Sequence, residues 1–321
     1  MKKLLSFLLT AVMACTLLFT VGCNTKDENT VYVGVLQVAT HDALDNARKG
    51  FEDTLNAWAT ANGKKVEFNR QNANGDSQNE LTLADSIFSS NPDLVLGIAT
   101  SSARALVNAA PTSTPVFFTA VTDPASENLV RENSAGTSDM NPVAEQIALI
   151  REIKPNAETI GFLYNSSENN SVTQFNLAQD KCEELGLTLL SFPVAQSSDI
   201  STVVDSISGV DAVYIPTDNL MAENITLICS ILHAKHIPVV AGESGMCEDG
   251  EAVVTLGINY YDLGVQTAQM AIKVLNGEAN IADLSFEFYN KEPSFFINEQ
   301  NALTAGLSQS LIDSLKSAHA A

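Results

Sequence analysis

The run Val31-Tyr32-Val33-Gly34-Val35-Leu36-Gln37-Val38 is rich in β-branched residues and almost continuously apolar, and the period changes just after it. Leu44, Ala47, Phe51, Leu55 and Trp58 recur every three or four positions, the spacing of one helix face. A strand apolar on both faces that leads at once into an amphipathic helix opens a βαβ unit, whose crossover lets the next strand lie parallel to the first. Further apolar runs begin near Val66, Leu94 and Val116, with helical segments at residues 78–90 and 101–109. The pattern then repeats, with runs near Ile160, Thr188, Ala212 and Val239 and helices at residues 170–185, 199–208 and 219–235. Within each set the strands recur every 22–35 residues, the length of a right-handed crossover unit. Two sets of four such units predict an α/β chain of two doubly wound parallel-sheet lobes. A further strand is expected at residues 253–256, then a helix from Tyr260 to Leu275 stopped by Asn276-Gly277, a strand pair at 285–288 and 295–297, and a helical tail over 302–315.

Composition narrows the function. The 321 residues are 45% hydrophobic and 17% charged, as in a globular protein. Lys and Arg number 17 against 38 Asp and Glu, a net charge of −21, which excludes a nucleic-acid partner. The four His are scattered, and His233 and His236, three apart on one helical face, read as helix-end residues rather than metal ligands. Gly242-Glu243-Ser244-Gly245 is not a nucleophile elbow, and no glycine-rich phosphate loop follows the first strand. The expectation is a protein that is not an enzyme and that needs neither metal nor cofactor.

The amino terminus reads as an address. Lys2 and Lys3 precede an uncharged run from Leu4 to Val21, which ends in Thr20-Val21-Gly22-Cys23. This layout resembles a bacterial lipoprotein signal, which implies removal of residues 1–22, a diacylglycerol on Cys23, and a tether over 23–30 holding the protein at the outer face of the cell membrane. Cys182, Cys229 and Cys247 remain, an odd number that allows one disulfide pair at most without choosing it.

In open α/β sheets ligands bind beyond the carboxyl ends of the strands. The first lobe places Thr40, Ser101, Ser102, Thr119 and Asp123 there, and the second places Glu168, Asn170, Ser171, Asp218 and Glu243. Each stretch alone also reads as helix capping. Together, hydroxyls and free N–H groups (Ser101, Ser102, Thr119) suit a ligand carboxylate, and Asp218, then Glu243 and Asp123, suit an ammonium. Glu168, Asn170 and Ser171 form the expected clamp from the second lobe.

His41-Asp42-Ala43-Leu44-Asp45, Asn72-Ala73-Asn74-Gly75-Asp76, Phe118-Thr119-Ala120-Val121-Thr122-Asp123-Pro124, Ser167-Glu168-Asn169-Asn170-Ser171, Pro216-Thr217-Asp218-Asn219 and Tyr260-Tyr261-Asp262-Leu263-Gly264 occur in that order. In this set the chain resembles the tryptophan/tyrosine-type substrate-binding lipoproteins of ABC transporters, although Asp42 stands where that family usually has Pro. The resemblance implies a type I periplasmic-binding-protein-like fold with three hinge crossings. Its first lobe would span 31–123 plus 258–288 and its second 124–257 plus 289–321. It also implies a small zwitterionic ligand, an aromatic amino acid, and delivery to an ABC permease with cytoplasmic ATPases. Receptors for a nucleoside or a sugar, and a lipid-anchored sensor or adhesion module without a permease, are the alternatives.

Overall fold

The computed structural model describes residues 26–248 and 250–320, so the expected leader, Cys23 and the start of the tether lie outside it. Strand β1 (Thr30–Gln37) leads into α1 (Asp42–Ala61), β2 (Lys65–Asn72), α2 (Ser77–Ser89), β3 (Leu94–Ile98), α3 (Thr100–Ala109), β4 (Val116–Val121) and β5 (Ser134–Ser138). The chain crosses into a second lobe with α4 (Val143–Ile153), β6 (Thr159–Asn165), α5 (Asn169–Leu185), β7 (Thr188–Val194), α6 (Ile200–Ser206), β8 (Ala212–Ile215), α7 (Asn219–Glu223), α8 (Ile225–Ala234), β9 (Val239–Ala241), α9 (Gly245–Glu248) and β10 (Val254–Gly257). It returns with α10 (Tyr260–Leu275) and β11 (Phe286–Phe288), then crosses again into β12 (Ser294–Ile297), α11 (Glu299–Thr304) and α12 (Gln309–Ala318).

The first sheet has the order β11-β5-β4-β3-β1-β2 and the second β12-β10-β9-β8-β6-β7. All neighbours are parallel except the pair β10 and β12. This is the doubly wound two-lobe architecture that the strand spacing predicts. One expected boundary is corrected. Because β5 belongs to the first sheet, the first crossing falls at residues 139–142 and not after residue 123. Ser134-Ala135-Gly136-Thr137-Ser138 carries no β-branched apolar run, which hid it. Its residues are small because the strand is wholly buried, and a Cβ at Gly136 would lie 2.0 Å from the Phe118 carbonyl oxygen. The single helix expected over 219–235 is likewise two, α7 and α8, broken at Asn224.

Alternate residues of the central strands feed two cores, one on each face of a sheet. Val33, Val35, Leu94, Leu96 and Phe117 pack with Phe51, Leu55 and Leu263 under α1 and α10. Leu36, Val95 and Phe118 pack with Ile87, Ala103 and Leu106 under α2 and α3. The second lobe repeats the plan, with Phe162 and Tyr214 on one face and Leu163, Val213 and Ile215 on the other. Each such fully buried side chain contributes roughly 1.5–3 kcal/mol. Trp58 packs against the first core and donates to Asn276 Oδ1 at 3.0 Å. Cys182, Cys229 and Cys247 are buried free thiols.

Helices α1 and α10 meet backbone to backbone. A Cβ at Gly264 would stand 1.9 Å from the Ala47 carbonyl oxygen, and one at Gly50 2.0 Å from that of Tyr261. This contact returns the late helix to the first lobe and so fixes where the second crossing ends. Gly264→Ala is therefore expected to cost about 1–3 kcal/mol by forcing the helices apart, read as a lower midpoint in thermal or denaturant unfolding. An unchanged midpoint would show that the two helices separate freely.

Candidate functional site

The carboxyl ends of the two sheets face each other across a narrow cavity. From the first lobe come His41, Ala43 and Leu44 after β1, Ala99 and Thr100 after β3, Ala120 and Thr122 at the end of β4, and Asp139 after β5. From the second come Asn170, Thr217, Asp218, Asn219, Ala222, Glu243 and Met246, and Tyr260 closes the side at the hinge. The lobes touch directly. His41 Nε2 lies 3.1 Å from Asn219 Oδ1, the Thr40 N–H donates to Glu223 at 3.4 Å, and Asn169 Nδ2 donates to Glu127 at 3.4 Å. The cleft is closed.

Among the described residues, three buried carboxyl groups line the cavity and no Lys or Arg does. Asp218 accepts from the Asn165 N–H at 2.6 Å, Ser171 Oγ at 2.7 Å and the Met221 N–H at 2.9 Å. Burial, with the charge of Glu168 adding to it, still pushes Asp218 up to about 8. Glu243 accepts from the N–H groups of Gly245 and Met246 at 2.6 and 2.9 Å, yet burial raises it to about 7, with Asp42 and Glu248 contributing. Asp139 accepts from Tyr260 Oη at 2.8 Å and Thr122 Oγ1 at 3.1 Å, and burial raises it as well. Desolvated carboxyls without a cation are groups that a bound cation relieves.

The opposite wall offers donors. Helix α3 begins at Ala99, which has no side chain to cap it, so the first-turn N–H groups at Thr100 are left for solvent or a ligand. Ala99 and Ala120 both take positive φ, +76° and +56°, and both line the cavity. Left-handed backbone at alanine is strained, and such strain concentrates at binding sites.

Of the residues expected from sequence, Asn170, Asp218 and Glu243 line the cavity. The others stand beside it. Ser101 and Ser102 turn away and donate to the buried Glu80 carboxyl at 2.7 and 2.9 Å. Each helical residue rotates the side chain by about 100°, so it is Thr100 that faces the cleft. Thr119 is inside β4, bonded to Thr137 Oγ1 at 3.1 Å, and Thr122 takes its place. Asp123 accepts from the Ser126 N–H at 3.1 Å, a turn cap. Thr40 is exposed at the rim and accepts from Asn72 at 3.0 Å. Ser171 and Glu168 are supports, the one bonded to Asp218 and the other accepting the Asn219 and Leu220 N–H groups at 3.1 and 3.2 Å. Sequence reasoning missed His41, Thr100, Thr122, Asp139, Thr217, Asn219 and Tyr260 as lining residues. Only Asp139 had no signal, since its strand was unread. Among the described residues, no group of three His, Cys, Asp or Glu is placed to hold a metal ion.

A solved structure of the ABC domain from Streptococcus pneumoniae in complex with L-Trp is 34% identical, with TM-score 0.81 over 88% of this chain and 98% of that one. The ligand-free, open structure of a substrate binding protein with adhesive properties from Clostridium difficile is 33% identical, with TM-score 0.65 over 87% and 96%. A curated tyrosine-binding protein from Clostridioides difficile is 29% identical over 335 residues, covering 98% of this chain and 95% of the relative. The family model for ABC transporter substrate binding proteins matches residues 32–314, and the chain belongs to that family.

Proposed function

We propose that this protein is the receptor of an ABC importer for an aromatic amino acid, tyrosine or tryptophan, which it delivers to a membrane permease driven by cytoplasmic ATPases. The observation that carries the reading is the polarity of the closed cavity. Asp139, Asp218 and Glu243 offer acceptors for an ammonium, the start of α3 offers N–H donors for a carboxylate, and Ala43, Leu44, Ala222 and Met246 supply an apolar wall between. A zwitterion with an apolar side chain satisfies all three. The family relatives that bind tryptophan and tyrosine support the same ligand class. So does the better overlay on the L-Trp complex than on the ligand-free, open relative of nearly equal identity. A sugar is less well served. The only Trp packs half-buried against the first core and away from the cavity wall, and the hydroxyl of Tyr260, among the described residues the one large ring in the wall besides His41, is engaged by Asp139.

Binding energy comes from contacts made by both lobes at once, so ligand stabilises the closed state. Asp218 is placed to hold the ammonium, because three donors fix its carboxyl at the end of β8. Asp218→Asn keeps the shape and removes the charge. Because its amide nitrogen would face a backbone N–H at one of the two carboxyl oxygens, it is expected to lower the melting temperature of the free protein and, in the folded variant, to weaken L-tyrosine or L-tryptophan binding about 30-fold or more in calorimetry. Equal affinity would remove Asp218 from the site.

The raised carboxyls also set a direction with pH. In the closed, empty cleft Asp218 and Glu243 hold protons up to about 8 and 7. Solvated in an open cleft they would release them near the ordinary value of about 4. Between these limits closing takes up protons, so lowering the pH favours the closed form of the empty protein. The radius of gyration of ligand-free protein, measured by solution scattering, should be smaller near about pH 5.5 than near about pH 8.5. Saturating ligand should abolish the difference, and a larger radius at the lower pH would contradict it.

The lipid anchor belongs to the same reading, with Cys23 as the modified residue and the tether ending at residue 29, because Thr30 already belongs to β1. Cys23→Ser should shift the protein from the membrane fraction of its host to the soluble fraction outside the cytoplasm. Retention of the variant on the membrane would exclude anchoring through that thiol.

A further inference from the structure

Glu168 accepts from the backbone N–H groups of Asn219 and Leu220 and, at 2.6 Å, from Asn219 Nδ2. A carboxylate engaged in this way presents only acceptors to the amide, so the Asn219 amide turns its nitrogen to Glu168 and its Oδ1 away. That oxygen lies 3.1 Å from His41 Nε2, across the cleft in the other lobe. An amide oxygen only accepts, so the network assigns the ring proton to Nε2. Burial holds the imidazole below its ordinary pKa, which keeps the ring neutral near pH 7. Nδ1 is then a bare acceptor. It is buried, it has no hydrogen-bond partner among the described residues, and His41 lines the cavity. A buried acceptor left unpaired costs free energy until a donor meets it.

The charged ends of an amino acid are served elsewhere. Its ammonium gains more from Asp218, Glu243 and Asp139, since charge-assisted bonds are about twice as strong as neutral ones. Its carboxylate is repelled by a lone pair. What remains for Nδ1 is a neutral donor on the side chain: the phenol O–H of tyrosine or the indole N–H of tryptophan. Phenylalanine has neither. We infer that His41 accepts a hydrogen bond from the polar group of the ligand's aromatic side chain, held in the accepting tautomer by Asn219 and Glu168, and so separates tyrosine and tryptophan from phenylalanine. This rests on the aromatic amino acid reading above. The lobes meet at His41 and Asn219, so the acceptor is fixed only on closure, and Asn219 is a positioning residue.

Calorimetry with L-tyrosine, L-tryptophan and L-phenylalanine on wild type and His41→Leu tests it. His41 makes no side-chain cap bond to α1, so the substitution leaves that helix start intact. Wild type should bind phenylalanine about tenfold more weakly than tyrosine, and His41→Leu, which also gives up the bond to Asn219, should weaken tyrosine and tryptophan about tenfold more than it weakens phenylalanine. Nitrogen-15 spectra of the tyrosine complex should show His41 protonated on Nε2 and not on Nδ1, and Asn219→Ala should remove that preference. Parallel loss for all three ligands, no discrimination by wild type, or a ring protonated on Nδ1 each overturns the inference and leaves the aromatic reading standing. Failure of wild type to bind any of the three overturns the aromatic reading, and this inference with it.

Discussion

In the closed cleft Asp139, Asp218 and Glu243 are buried, and among the described residues no Lys or Arg lines the cavity wall beside them. An ionised carboxylate without a partner costs several kcal/mol to bury. The direct bonds between the lobes do not offset that. Among the described residues, those across the mouth of the cleft join His41 to Asn219, Thr40 to Glu223 and Asn169 to Glu127 at 3.1–3.4 Å, and the last two are exposed. Each is worth about 1 kcal/mol or less. The closed state therefore depends on what sits between the jaws. Protons serve when the cleft is empty, and an ammonium serves better, because it leaves the carboxylates charged and hydrogen-bonded at once. This makes closure report on the ligand, which is what a receptor read by a membrane partner requires.

The acids are held in place by the same devices that hold the fold. Asp218 caps α7 through the Met221 N–H and ties the end of β6 through the Asn165 N–H. Glu243 closes the turn into α9. The loops that carry them are pressed together at Gly242, where a Cβ would lie 2.6 Å from the Pro216 backbone. Gln146 on α4 then fixes this corner. Its Nε2 donates to the carbonyls of Gly242 and Leu256 at 3.0 and 2.8 Å, and its Oε1 accepts from Tyr214 Oη at 2.6 Å. At the hinge, Asp139 and Asn141 of the first crossing meet Tyr260 at the end of the second. Each acid is fixed by bonds of the fold itself, so in the proposed site it would lose no rotamer freedom when a ligand arrives.

How much of this was legible in the sequence follows from where the signal is local. The lobes were legible because β1 with α1, and each later pair, changes period from two-sided apolar to 3.6 within a few residues. Strand β5 was not, since a strand of small residues built to sit against Phe118 looks like a polar loop. Asp218 and Glu243 were legible because each follows directly on a fully apolar strand. Ser101, Ser102 and Thr119 misled for a geometric reason. The strand-end rule gives the right turn but not the right residue, and one position along a helix or strand turns a side chain away from the cleft. The accepting state of His41 was beyond reach, because it depends on Asn219 and Glu168, more than a hundred residues away in sequence and in the other lobe.

The donor wall raises a different question, which is why a site for a zwitterion carries no cationic side chain. A Lys or Arg in the cavity would pair with Asp218 or Glu243 in the empty state, and such a buried pair is expensive to break. Binding would then have to undo it. The start of α3 avoids this. Its partial positive charge resides in backbone N–H groups, which cannot swing across to an acid. The turn that aims them costs strain at Ala99, about 1–3 kcal/mol for a non-glycine residue at positive φ, and Ala120 also takes positive φ at the end of β4. Fully buried β3 and β4 on either side hold both turns. The N–H groups of α3 in the first lobe and the carboxyls of Asp218 and Glu243 in the second are each held by the fold, so in the proposed site no internal ion pair has to be undone before a ligand binds.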